Sequence, residues 1–577
     1  MSNGKGDYGM RKSAFMLMAV VLSLLLIISG CSKGSAGQTG GTSGKDDGKP
    51  VDGGTLKMAF GAKEFNDTLI PGLANDAFNA NLVRMLFDGL ADQNGKLELV
   101  PRLADKWEVS SDKMSITVTL NEKAKWSDGE PVTSDDVLFT YNSLVSPDLL
   151  KIGGDGGSAL NTLKGYKEIS EGKETSFEKT KGFEKISDKQ FKLNLSEKDA
   201  VSVTNILTQR LLPYHILKDK PIKDWQNLDF VQAPSVVSGP YKVKKVQKPT
   251  TVIMEANNNY YISKPHIKEI VIQGVNVDVA PGLFAKGQLD YMMKGFNVAD
   301  VQNLKRIQNV DVIAKPGDLF EYIGMKLYKP PFKDQKVRQA LMYALPRKLM
   351  LDSIYKGNGV LLNGPLPEII GAHASEKDGI NSYDYNEDKA NQLLDEAGWK
   401  KSSDGKRIDP NTNKPADLKL TYTQDSKTSQ AIAESIKKYF GNVGIQVTLN
   451  PQDSTTKNAK LQNDDPSIDM WIGAWGGGGD DPRGLWASDA ALNWERWKDA
   501  ENDKLIKDTY ASDSAFNADD RKQSLIKWQL HTNEQVPLLF LWTYYDVAVK
   551  SKKLHIPQDD LIDIGSLYNP QDWWLSE

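Results

Sequence analysis

Apolar and polar positions change period repeatedly along this chain, and the changes predict its elements. Strict alternation after a glycine pair predicts a strand over Gly54–Phe60. Helical spacing of apolar residues predicts a helix over Asn81–Leu90, stopping at Gly89. Met114–Leu120 alternates as a strand, Ser127-Asp128-Gly129 reads as a turn, and Thr133-Ser134-Asp135-Asp136 opens a helix through Val137 to Leu144. A hydroxyl at the cap and acids in the first turn satisfy free N–H groups and the helix dipole there. Ser238–Tyr261 predicts a hairpin, residues 267–275 a strand, and Gln335 the approximate start of a helix after a Pro-Pro turn. Asn386 caps an amphipathic helix that ends at Gly398, and residues 402–420 read as a hairpin. Residues 429–453 predict a helix and then a strand, and "DMWIGAW" a strand that breaks into the loop "GGGGDDPRGLW". Strands and helices alternate, so the class is α/β.

The head of the chain has a different pattern. Lys5, Arg11 and Lys12 precede an apolar run from Ala14 to Ile28, followed by Ser29, Gly30 and Cys31. A positive start, an apolar core and small residues are the layout of a secretory signal. The run is short for a bilayer span, which takes roughly 20 residues. Ile28-Ser29-Gly30-Cys31 resembles the lipobox of bacterial lipoproteins, which implies lipid transfer to the Cys31 thiol and cleavage before it. Residues 1–30 are thus expected to be a signal peptide. Residues 31–53, rich in Gly, Ser, Thr, Lys and Asp, are expected to be a flexible tether. Cys31 is the only cysteine, so no disulfide frame or cysteine metal cluster is available.

More than 500 residues follow, too many for one core, which argues for two or three domains. Net charge is −4, and loss of residues 1–30 strips three cations against one acid, giving about −6. Charges are evenly mixed, with no basic field to suggest nucleic acid. No second apolar span appears, so the chain does not form a channel. The five histidines (His215, His266, His373, His531 and His555) are scattered, and no Gly-x-Ser-x-Gly, His-Glu-x-x-His or phosphate-binding glycine loop occurs. The expectation is a protein without enzymatic activity, metal or cofactor.

Four motifs carry a family resemblance. "KWSDGEPVTSDDVLFTY" (125–141), "SGPYKV" (238–243), "PPFKDQKVRQALMYAL" (330–345) and "YDYNEDKANQLLDEAGW" (383–399) stand in family order, and the C-terminal "YNPQDWWLSE" fits as well. They resemble the extracellular solute-binding proteins for oligopeptides and dipeptides, the receptor subunits of ABC importers, closest to the receptors of Gram-positive bacteria. The resemblance covers Gly53 to the end. It implies a two-lobed clamp enclosing its ligand: residues 54–90 with 232–319 and 541–577 form lobe I, 91–231 an inserted domain, and 320–540 lobe II. It also implies an oligopeptide ligand, a membrane permease as partner, a lipid anchor on the outer face of the cytoplasmic membrane, and a monomer. The same fold also serves oligosaccharides, nickel chelates and signalling peptides, and an extracellular enzyme reusing it is the remaining alternative. The motifs themselves are structural: Trp126 and Val137 are expected in the core, and Arg338 in a salt bridge or loop clamp.

A peptide receptor must pair backbone amides without reading side chains, so edge strands and glycine are the natural tools. Gly476, Gly477, Gly478 and Gly479 are the candidate loop. Enteric members of the family carry an aspartate three residues after the tryptophan, to hold the peptide amine; here Gly478 stands there. Either Asp480 or Asp481 replaces it, or the amine is not fixed. Trp475, Trp486 and Tyr322 are candidate pocket walls, with core packing as the alternative. Asn75 and Asp76 are candidate cleft residues, with helix capping as theirs.

Overall fold

The computed structural model describes residues 49–61, 68–74, 76–94, 98–247, 250–476, 479–561 and 565–576. Strands of the two larger sheets and the longer helices are numbered here in chain order. β1 (Thr55–Phe60) buries Leu56 and Met58 and exposes Thr55 and Lys57, as its alternation dictates. α1 (Ala77–Leu86) starts four residues before the expected position and ends four early. Asp76 is its N-cap, accepting the Asn79 N–H at 2.8 Å. The stretch after Leu86 is drawn into other pairings: the Asp88 N–H donates to Ser238 Oγ at 2.9 Å, and Gly89 bridges Arg210. A Cβ on Gly89 would lie 2.9 Å from three carbonyl oxygens, so only glycine fits.

β2 (Ala104–Val109) and β3 (Ser115–Leu120) precede α2 (Ser134–Val145). The Asp136 carboxylate accepts from Thr133 N at 2.8 Å and Thr133 Oγ1 at 3.2 Å, closing the first turn. With β4 (Phe183–Ser187) and β5 (Gln190–Asn194) these strands make an antiparallel sheet in the order β2-β3-β5-β4. Trp126 and Val137 are fully buried beside it. α3 (Ala200–Leu207) follows, capped by Asp199.

The larger sheet has eleven strands. Beyond β1 it comprises β6 (Tyr241–Gln247), β7 (Thr251–Ala256), β8 (Glu269–Gly274), β9 (Tyr291–Met292), β10 (Val310–Met325), β11 (Gly359–Leu361), β12 (Asp417–Thr423), β13 (Gln446–Gln452), β14 (Met470–Trp475) and β15 (Leu539–Ser551). Their order is β13-β12-β14-β10-β15-β9-β1-β8-β7-β6, with β11 on β15. Two apolar cores attach to it. The first is gathered from Leu56 to Met293, completed by Ala548, Leu554, Leu567 and Trp573. The second takes Ala59 and then runs from Val275 to Val549. The second core carries α4 (Gln335–Tyr343), α5 (Arg347–Tyr355), α6 (Glu387–Glu396), α7 (Lys427–Asn442) and α8 (Ala518–Gln535). Among the described residues no helix is long and apolar enough to cross a membrane.

β10 and β15 are the long antiparallel pair that links the two halves of the sheet. Their ladder runs from Val310↔Ser551 to Pro316↔Tyr545 and resumes at Phe320↔Thr543. Gly317, Asp318 and Leu319 thus face a single residue, Tyr544, and form a bulge. Pro316 lacks the N–H a continuous ladder needs, and the bulge falls just after it.

Arg338 is a loop clamp. Its guanidinium donates to the carbonyls of Phe332 (2.8 Å), Lys333 (3.0 Å), Gln535 (2.6 Å) and Val536 (2.9 Å), and to no carboxylate. Burial pushes this guanidinium down to about 10. Val536, at φ 48°, is a buried β-branched residue in the left-handed region, turning α8 into β15. That conformation costs about 1–2 kcal/mol, and the clamp holds it.

Candidate functional site

β14 is built by two aromatic-over-glycine pairs with β10. Across the ladder Tyr322 faces Gly473 and Trp471 faces Gly324. A Cβ on Gly473 would lie 2.5 Å from the Tyr322 ring, and one on Gly324 2.2 Å from the Trp471 ring. The glycines therefore leave the space the two rings occupy. Tyr322 is fully buried, and burial raises its hydroxyl well above the usual range. Its ring lies parallel to Trp475, centroids 6.5 Å apart, and Trp475 packs on Trp494 at 4.7 Å.

β14 is paired unequally. It meets β10 along its whole length, Met325↔Met470 to Phe320↔Trp475. On the β12 side only Met470 and Trp471 have ladder partners. Ile472–Trp475 therefore have no strand beside them there among the described residues, although Lys457 Nζ reaches the Ile472 carbonyl at 2.9 Å. Burial falls off in the same direction, Ala474 being exposed and Trp475 half-buried.

The loop after β14 starts against the bulge of β10. A Cβ on Gly476 would lie 3.1 Å from both Cα and Cβ of Leu319. Gly477 and Gly478 lie outside the described residues, as do Asn75 and Cys31. Gly479 has φ +56° with nothing near its missing side chain. Both acids that follow already have cations. Asp480 pairs with Arg521, whose Nη2 also donates to the Asp480 carbonyl at 3.0 Å. Asp481 takes Arg483 through Nε at 3.0 Å and Nη2 at 2.8 Å. Neither carboxylate stands free for a ligand amine.

The structure thus brings together Tyr322, Trp475, Gly476 and, through the loop, Gly479, Asp480 and Asp481. Trp486 is buried against Trp528 and Phe540, whose β15 position pairs with Tyr322. Asp76 belongs to the first core's α1, and its one described hydrogen bond is the cap. A cavity of about 500 Å³ between α5 and α7 is lined by Ser353, Lys427, Thr428, Glu434 and Lys438, and shares no residue with this set.

Sequence reasoning missed several participants. Arg483 and Arg521 neutralise the acids from 2 and 41 residues away. Glu495 is buried beside Trp494, one carboxylate oxygen having no partner among the described residues, and burial pushes its pKa up to about 8. The bulge at Gly317–Leu319 had one signal, the Pro316-Gly317 dipeptide.

Residues 98–494 match the family described as bacterial extracellular solute-binding proteins, family 5 (middle). The oligopeptide-binding protein AppA of Bacillus subtilis (strain 168) is 27% identical over 588 residues, covering 98% of this chain and 99% of that protein. The structure of AppA in complex with a nonapeptide superposes with TM-score 0.65 at 24% identity, over 92% of this chain and 100% of that one. The unliganded open form of the periplasmic murein tripeptide binding protein MppA superposes with TM-score 0.75 at 21% identity, over 91% and 98%. The fold is the two-lobed clamp of these proteins.

Proposed function

The chain belongs to family 5 of the bacterial extracellular solute-binding proteins, and from that premise we propose that it captures oligopeptides outside the cell and delivers them to an ABC permease, without cleaving them. One observation carries the peptide assignment: the end-to-end similarity to an oligopeptide-binding protein, at 27% identity over 98% of this chain. The half-paired edge at Ile472–Trp475 supports it, because a strand with a free side accepts an extended peptide by main-chain hydrogen bonds. In this reading Tyr322 and Trp475 form a wall under the peptide, and Gly476–Gly479 let its backbone approach. Asp480 and Asp481 shape the loop rather than bind the peptide amine, since arginines occupy both. Lobe I is 54–90 with 232–319 and 541–577, the inserted domain is 91–231, and lobe II is 320–540. Gly317–Leu319 is the hinge. Cys31 carries the lipid that keeps the receptor, a monomer, at the membrane.

Native mass spectrometry of protein purified without denaturation tests the reading. The expected result is intact protein carrying peptides, displaced by an excess of other peptides and recovered uncut. Protein that carries no peptide, binds none from a synthetic nonapeptide library, or hydrolyses the library refutes it.

A further inference from the structure

Arg483 makes a contact that the ligand loop alone does not require. Besides gripping Asp481, its Nη1 donates to Asp199 Oδ2, 284 residues earlier in the chain. The Asp199 side chain is almost wholly buried, 1% exposed. Its other oxygen is committed to α3, accepting from Val201 N at 2.9 Å and Ser202 N at 3.0 Å. The Arg483 guanidinium also lies 4.3 Å over the Tyr510 ring. From that same residue the Tyr510 carbonyl accepts the Ala200 N–H, the first of α3, at 2.9 Å. Lys198–Asp513 at 2.7 Å adds an outer pair. α3 packs in the first core, and residues 483–510 belong to the second.

The segment 476–483 is therefore fixed at both ends. Gly476 rests on the bulge of the long strand pair, and Arg483 is bound to the start of α3. Bending at the bulge that parts the two cores must pull on the Arg483–Asp199 bond. We propose that Arg483 and Asp199 form a latch that closes the inserted domain onto lobe II and sets the position of the ligand loop, so that they govern how long a peptide stays bound without touching it. This rests on the peptide-receptor reading; the latch itself is also testable without peptide.

The full-length protein is compared with Arg483→Gln, Asp199→Asn and the double variant. Asparagine caps a helix as well as aspartate does, so Asp199→Asn removes the charge and keeps α3. Hydrogen exchange of the unliganded proteins is followed at 197–203 and 479–486. Each single variant is expected to speed exchange in both segments, and the double variant no further than the singles. Dissociation of captured nonapeptides is expected to be about tenfold faster in all three, within the usual range of coupling between sites. Exchange that changes only around the substituted residue, or effects that simply add, overturns the latch. So does unaltered peptide dissociation in a wild type that captures peptide. A wild type that captures none refutes the receptor reading instead, and the exchange comparison still decides the latch.

Discussion

Replacing Gly476 with alanine tests the link between ligand loop and hinge most directly. The backbone of Gly476 lies outside the left-handed range, so alanine brings no conformational strain. What it brings is one methyl, 3.1 Å from Leu319 Cα and Cβ and 3.4 Å from its Cγ. Carbon atoms rest at roughly 3.5–4.0 Å, so the bulge must retreat by roughly 0.4–0.9 Å at its nearest atoms. Overpacking in a rigid core costs about 1–3 kcal/mol. Leu319 sits where the ladder is interrupted, so the lower end applies, about 1 kcal/mol. Borne by one hinge position and not the other, that amount shifts peptide affinity by roughly fivefold. Gly479→Ala is the control: it meets no atom within 4 Å but adopts φ +56°, at a cost of about 1 kcal/mol of purely local strain. Calorimetric titration with one peptide, and small-angle scattering of the free proteins, should separate the two. Gly476→Ala should change both affinity and scattering profile; Gly479→Ala should leave the profile alone. If Gly476→Ala binds within twofold of wild type with an unchanged profile, the argument for a loop braced on the hinge is wrong.

Other outcomes follow from the same structure. Cys31→Ser should release the protein from membranes or leave it unprocessed, and an unmodified mature N-terminus at another residue would count against the anchor. Arg338→Met leaves four carbonyls without their clamp and Val536 strained, and should lower urea-unfolding stability by about 3 kcal/mol. Glu495 titrates at about 8 when folded, against 4.5 as its ordinary value, so the folded state holds the extra proton between those values. The stability it confers is present below pH 4.5 and lost as pH rises towards 8. Glu495→Gln should flatten that part of the melting-temperature profile, and an unchanged slope refutes the assignment.

Local features were legible from sequence wherever one short-range force decided them. The β1 alternation, the capped start of α2, the hairpin of β6 and β7 and the strand β14 all appear where expected. α1 was misplaced because Phe87–Leu90 has helical spacing, yet its backbone partners, Ser238 and Arg210, are supplied from more than 100 residues away. The candidate site was legible only as composition. Glycines mark the loop, but whether Asp480 and Asp481 are free depends on Arg521 and Arg483. An aromatic residue next to a glycine loop also reads the same whether it lines a cleft or fills a core. Tyr322 and Trp486 fill the core, and Trp475 lies at its margin.

The return of the chain through β15 affects the timing of folding. β1 finds its neighbours only at residues 269–274 and 291–292, and β9 in turn waits for Val549 and Lys550. The first core still lacks Leu554, Leu567 and Trp573 at that point. A polypeptide threaded outward from its N-terminus cannot seal its first half until nearly all of it has emerged, since non-local contacts form only after the intervening chain exists. Premature folding on the ribosome side is thereby disfavoured, and the chain stays slack enough to be exported. The tail that completes the first core also certifies that the second has been made, so a truncated copy exposes apolar surface to proteolysis instead of circulating as half a receptor.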